Sequence, residues 1–134
     1  MPRSRKQTPK AAKPAPLSPA ALLAAFEPVR RAAVGLPEVE EGTWYRTPSL
    51  RVRGKSFTRL REDGETLVVL VDFDSRDSML RLQPEVFYLT DHYRNYPAVL
   101  IRLSAIRRPQ LREVLADSWR RVAPRTLVAR PEGR

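Results

Sequence analysis

Apolar residues recur every three or four positions near both ends of the chain, and every two positions or in unbroken runs between them. Behind Ser18 and Pro19, the residues Leu22, Leu23, Phe26, Val29 and Ala33 fall on one helical face. The serine hydroxyl is placed to accept an early backbone N–H, and the proline lacks a donor where none is needed. Pro28 interrupts this stripe. It removes a hydrogen bond and presses Glu27 out of the α region, so the spacing predicts a kink or two short helices, ended by Gly35, Leu36 and Pro37. Residues 38–42 are acidic and read as a linker. From there the period falls to two. Leu50 and Val52 alternate with Ser49, Arg51 and Arg53, which sets the arginines opposite the aliphatics. Gly54 and Lys55 supply a turn into a second strand over 56–61. There Phe57, Arg59 and Arg61 share one parity and Ser56, Thr58 and Leu60 the other, so the side that Arg59 faces is open.

Glu62, Asp63, Gly64 and Glu65 form the next turn, and the β-branched and leucine run 66–71 suits a strand covered on both faces or held mid-sheet. Asp74 or Ser75 can cap a short helix through Met79, Leu80 and Leu82, closed by Pro84. A brief strand at 87–89 and the polar loop TDHYRNYP lead to an apolar strand at 98–103. Pro109 opens a last helix whose stripe is Leu111, Val114, Leu115, Ser118, Trp119 and Val122, and Pro124 stops it. The order αβββαββα, with hairpin turns between neighbouring strands, indicates an α+β fold in which an antiparallel sheet packs on helices.

The length of 134 residues fits one domain able to bury a core, and no apolar run approaches the ~20 residues of a membrane span. Cysteine is absent, which excludes disulfides and thiolate metal sites and fits a reducing, cytoplasmic setting of bacterial type. The formal charge of +10 is unevenly spread. Residues 1–16 hold five basic groups and no acid, and with their prolines they read as a disordered basic arm without the apolar core of a secretory signal. Residues 125–134 form a basic tail, and the domain between them, 17–124, carries 17 basic against 14 acidic residues. Most of the excess therefore belongs to the tails.

Within the domain the densest positive stretch is 44–61, where Arg46, Arg51, Arg53, Lys55, Arg59 and Arg61 are interrupted by no acid. On a β-hairpin these cations suit phosphate contact, with an edge that deters aggregation as the ordinary alternative. The loop residues His92, Tyr93, Arg94 and Tyr96 are the second candidate, for base stacking or for lining a groove between loop and sheet; Trp44 and Tyr45 share the stacking chemistry, although Trp44 and Trp119 suit the core. His92 beside Asp91 is the pairing a general base needs, but no nucleophile motif accompanies it. Asp72, Asp74 and Asp77 precede a helix and suit capping better than a metal, and Glu38, Glu40 and Glu41 lack a catalytic partner. No cofactor, metal or membrane partner is expected.

Four segments carry a resemblance: GLPEVEEG at 35–42, SLRVRGKSFTRL at 49–60, FYLTDHY at 87–93 and LSAIRRPQLREVLADSWRRVAP at 103–124. In their order and spacing they resemble the MmcQ/YjbR family, over roughly residues 20–130. That resemblance implies a CyaY-like fold, similar to frataxin-type proteins, and a double-wing surface proposed to bind DNA. Taken with the basic residues, the first expectation is a non-enzymatic DNA-binding module, non-specific and salt-sensitive, with the hairpin 46–61 as a wing on which Arg51, Arg53 and Lys55 contact phosphate and 1–16 as an added arm; the alternative is a protein-interaction or small-ligand-binding domain. The acidic first helix linked to iron in frataxin-type proteins has no counterpart, since 19–34 holds only Glu27.

Overall fold

The computed structural model describes residues 16–129, so the expected basic arm apart from Pro16, and 130–134 of the expected tail, lie outside the described residues. Ser18 caps α1 (Pro19–Ala25), its hydroxyl accepting from the Ala21 N–H at 3.2 Å. Pro28 sits in the first turn of α2 (Glu27–Ala32), so the stripe is carried by two short helices that bury Leu22, Phe26 and Val29. Four strands follow, β1 (Val39–Trp44), β2 (Thr47–Val52), β3 (Lys55–Leu60) and β4 (Thr66–Leu70). Then come α3 (Phe73–Leu82), β5 (Phe87–Tyr88), β6 (Ala98–Arg102), α4 (Arg108–Val122) and α5 (Arg125–Val128). The six strands form one sheet in the order β1-β2-β3-β4-β6-β5, every neighbouring pair antiparallel, and the fold is α+β.

Register assigns the two faces, because directly paired residues point the same way. Leu50, Thr58, Val69 and Val99 lie in one row and Leu60, Leu67 and Ile101 in another, and the apolar members of both rows join the core built with α1, α2 and α4. Two buried polar bonds fasten α4: the Trp119 indole donates to the Pro37 carbonyl, ahead of β1, at 3.0 Å, and the Ser118 hydroxyl to the Phe57 carbonyl of β3 at 3.2 Å. Ser49, Arg59, Val68, Leu100 and Tyr88 make the row on the opposite, open face, away from α1, α2 and α4.

The parity conflict at 56–61 is resolved by a β-bulge. Leu50 pairs with Thr58 but Arg51 with Ser56, leaving Phe57 as the extra residue, and its ring enters the helix-side core. Arg59 is thereby turned to the open face although it shares Phe57's parity in sequence.

Three local expectations are corrected. The acidic stretch 38–42 is mostly strand, since β1 pairs with β2 from Val39↔Val52 to Trp44↔Thr47; as an edge strand with one wet face it has no need of an apolar pattern. The turn after β2 is Arg53–Gly54, both with positive φ (51° and 82°), and Lys55 already belongs to β3. Asp72, rather than Asp74 or Ser75, caps α3. In addition the chain continues past Pro124 into α5, whose Leu127 is buried.

Candidate functional site

The open face is apolar at its centre and aromatic at one side. Val68, Ala98 and Leu100 form a small second core there, against which Leu70, Tyr88 and Tyr93 pack. Tyr93 comes from the loop 91–97, which begins with a 3-10 turn at Asp91–Tyr93 and folds back over the sheet. The loop is held by Arg76 of α3, 7% exposed, whose guanidinium donates to the carbonyls of Tyr96 (2.8 Å), Arg94 (3.0 Å), Tyr93 (3.2 Å) and Ala98 (3.4 Å). Across from the loop stands the β1–β2 turn, with Tyr45 and Arg46 both in the left-handed region (φ 54° and 66°) and Tyr45 stacked on Trp44 at 5.6 Å.

Between turn and loop lies a pocket of about 170 Å³. Its walls are Trp44 and Tyr45 on one side and His92, Tyr93 and Tyr96 on the other, with Val68, Leu70 and Ala98 beneath and Arg59 at the base. The His92, Tyr93 and Tyr96 rings meet at centroid distances of 4.8 to 6.4 Å, so the loop wall is a packed aromatic cluster. Arg59 is 7% exposed. It donates to the Thr47 hydroxyl at 3.0 Å, the Leu60 carbonyl at 3.4 Å and the Tyr93 hydroxyl at 3.3 Å, and its guanidinium carbon lies 5.2 Å from the Tyr45 ring centre. Among the described residues no carboxylate is within ion-pair distance of it. Beside it on the same face, the buried Ser49 hydroxyl has no hydrogen-bond partner.

The six hairpin cations do not converge. Arg53 is ion-paired with Glu38 (2.6 Å), which raises its pKa through the hydrogen bond and then the carboxylate charge, and Arg51 faces Glu40 at 3.8 Å. Arg51 also lies flat across β1, where a Cβ on Gly42 would come within 2.9 Å of its Cζ. Arg59 is buried in the pocket, while Arg46, Lys55 and Arg61 carry no ion pair among the described residues. Arg46 and Arg61 flank the pocket end of the hairpin and Lys55 stands at its other end.

The other candidate groupings have local partners. Glu41 is bound by Arg30 (2.6 Å), so the three linker glutamates each face an arginine. Asp91 pairs with Arg94 at 2.7 Å rather than with His92, whose ring neighbours are tyrosines, so the acid–base pair is not assembled. Asp72 accepts from the Ser75 N–H and hydroxyl, bonds that lower its pKa, and among the described residues no three His, Cys, Asp or Glu could hold a metal ion. Trp119 is core as expected, but Trp44 lines the pocket. Of the expected loop set, His92, Tyr93 and Tyr96 reach the pocket and Arg94 does not line it.

Residues 34–121 match the YjbR family. The chain belongs to the YjbR family. Its described helices include none long and apolar enough to cross a membrane. The uncharacterised protein Rv2570 of Mycobacterium tuberculosis and the uncharacterised protein Mb2600 of Mycobacterium bovis are each 41% identical over 46 residues, which is 34% of this chain. The chain spans about a third (36%) of the length of these curated relatives, and no solved structure matches. The YjbR match includes both pocket walls, the turn at Trp44 and Tyr45 and the loop at His92 to Tyr96, so the pocket lies wholly within the family's domain.

Proposed function

We propose that this YjbR-family domain is a non-enzymatic ligand-binding module whose site is the aromatic pocket on the open sheet face. The observation that carries the reading is Arg59. Removing a guanidinium from water without a counter-charge costs several kcal/mol, which an anion from outside would offset. Arg59 is buried at the base of a pocket and has no acid near it among the described residues. Strained backbone often accumulates at binding sites, and Tyr45, which lines one wall, is in the left-handed region. Protein-detected NMR with a panel of small anions is the test. Saturable shifts confined to the amides of 44–46, 59 and 91–98 are expected, and a panel that leaves those amides unmoved at 10–100-fold excess over ~1 mM protein-scale affinities contradicts the reading.

Contact with DNA phosphate is the second reading, supported by Arg46, Lys55 and Arg61, the hairpin cations without an acidic partner among the described residues. Three phosphate contacts on duplex DNA imply a log affinity against log salt slope of about −2.7. Titration of a labelled duplex at several salt concentrations measures it. No binding at ~50 mM salt, where such contacts are strongest, rules it out.

A further inference from the structure

We infer that the pocket selects a single-ring aromatic carboxylate, an inference that rests on the reading of the pocket as a ligand site. Size sets the first limit. The pocket holds about 170 Å³, and an engineered cavity of about 150 Å³ accepts benzene. One six-membered ring with a small substituent therefore fills it, whereas a purine nucleotide would leave most of its atoms outside. The walls fix the shape of the guest: Tyr45 and Trp44 face the loop rings across the space, an arrangement that receives a flat π-system by stacking or edge contact.

Charge sets the second limit. Aromatic cages commonly hold quaternary ammonium groups, but this one has a guanidinium at its base and no acidic lining residue, so a cation is repelled. Of the five N–H donors of Arg59, three are used by Thr47, Leu60 and Tyr93, leaving Nε–H and one hydrogen on Nη2 for an outside acceptor. Two donors and one positive charge match the two oxygens and single negative charge of a carboxylate. A dianionic phosphate would bury an uncompensated charge and find too few donors.

The test is titration of the 15N-labelled full chain with benzoate, benzamide, phenyl phosphate, cyclohexanecarboxylate and benzyltrimethylammonium, followed at the amides of 44–46, 59 and 91–98. For a ligand this small, benzoate is expected to bind with a Kd of about 1 mM. Benzamide, the neutral isostere, and cyclohexanecarboxylate should each bind at least tenfold more weakly, and the ammonium not at all. Arg59→Met should abolish benzoate binding while its spectrum elsewhere stays native. Benzamide binding as tightly as benzoate overturns the anion selectivity and leaves the pocket as a ligand site. Tighter binding of phenyl phosphate overturns carboxylate in favour of phosphate. If none of the five moves the pocket amides, both this inference and the reading beneath it fail.

Discussion

Arg53 and Arg59 lie on the same hairpin and meet opposite environments. The first is half-exposed and held by Glu38 at 2.6 Å; the second is buried against Tyr45 and bonded only to neutral oxygens. A sequence reports both simply as cations. Their difference comes from the β-bulge at Phe57, and its one trace in the sequence is the conflict of parity over 56–61, which is what a strand with an inserted residue looks like. Arg46 sits between these extremes, exposed but in a backbone conformation that costs a side chain about 1 kcal/mol. Arg46→Gly should therefore stabilise the domain by about 1 kcal/mol, seen as a higher urea midpoint at unchanged slope. A lower midpoint would show that the arginine makes a compensating contact.

The loop 91–97 and the edge strand β1 are the elements that make the site, and both were hard to read for a physical reason. β1 is polar because one of its faces is wet, so VEEGTW has no strand periodicity and passes for a linker. The loop was legible as aromatic, and His92, Tyr93 and Tyr96 do reach the pocket, but the residue that fixes it belongs to another element. Arg76 lies on α3 and satisfies carbonyls of Tyr93, Arg94, Tyr96 and Ala98, a tertiary partnership with no periodic signature. Hydrogen bonds to a charged group are worth roughly 1.5–3 kcal/mol each after the exchange with water. Arg76→Gln should cost about 2–3 kcal/mol in global stability. It should also speed hydrogen exchange at 93–98 more than in β4 and α4, and uniform acceleration across the sheet would argue against a local clamp. By contrast the helices, their break at Pro28 and the central strands β4 and β6 were legible, because burial on one or both faces leaves a hydrophobic period or run in the order of residues.

At the scale of the molecule, the net charge says little about the site, since within 17–124 it is close to balance and several arginines are locally paired. Carboxylates held by hydrogen bonds should appear in the acid limb of stability. Glu27 has its pKa lowered by the hydrogen bond from Arg31 and then that from Arg30, and Asp72 by the Ser75 N–H and then its hydroxyl. A folded-state pKa below the unfolded one contributes stability above the unfolded value and loses it as pH falls through the folded value. Urea midpoints should thus be flat near neutrality and decline below pH 4.5 and 3.8, the ordinary values of these two groups; Glu27→Gln and Asp72→Asn should flatten that decline. The whole domain also reports on its ligand, because anything that binds the folded chain alone raises its melting temperature, by about 2.7 kcal/mol of stability at one hundred times Kd. The most direct test of the account is thermal unfolding of the wild type and of Arg59→Met, each with and without benzoate at ten times its Kd. Arg59→Met removes a buried charge that has no acidic partner among the described residues, but also the hydrogen bonds to Thr47, Leu60 and Tyr93, so the readout is the shift caused by the ligand: benzoate should raise the melting temperature of the wild type alone. A variant that benzoate stabilises as much as the wild type would contradict the claim that Arg59 is held in the fold to meet an anion.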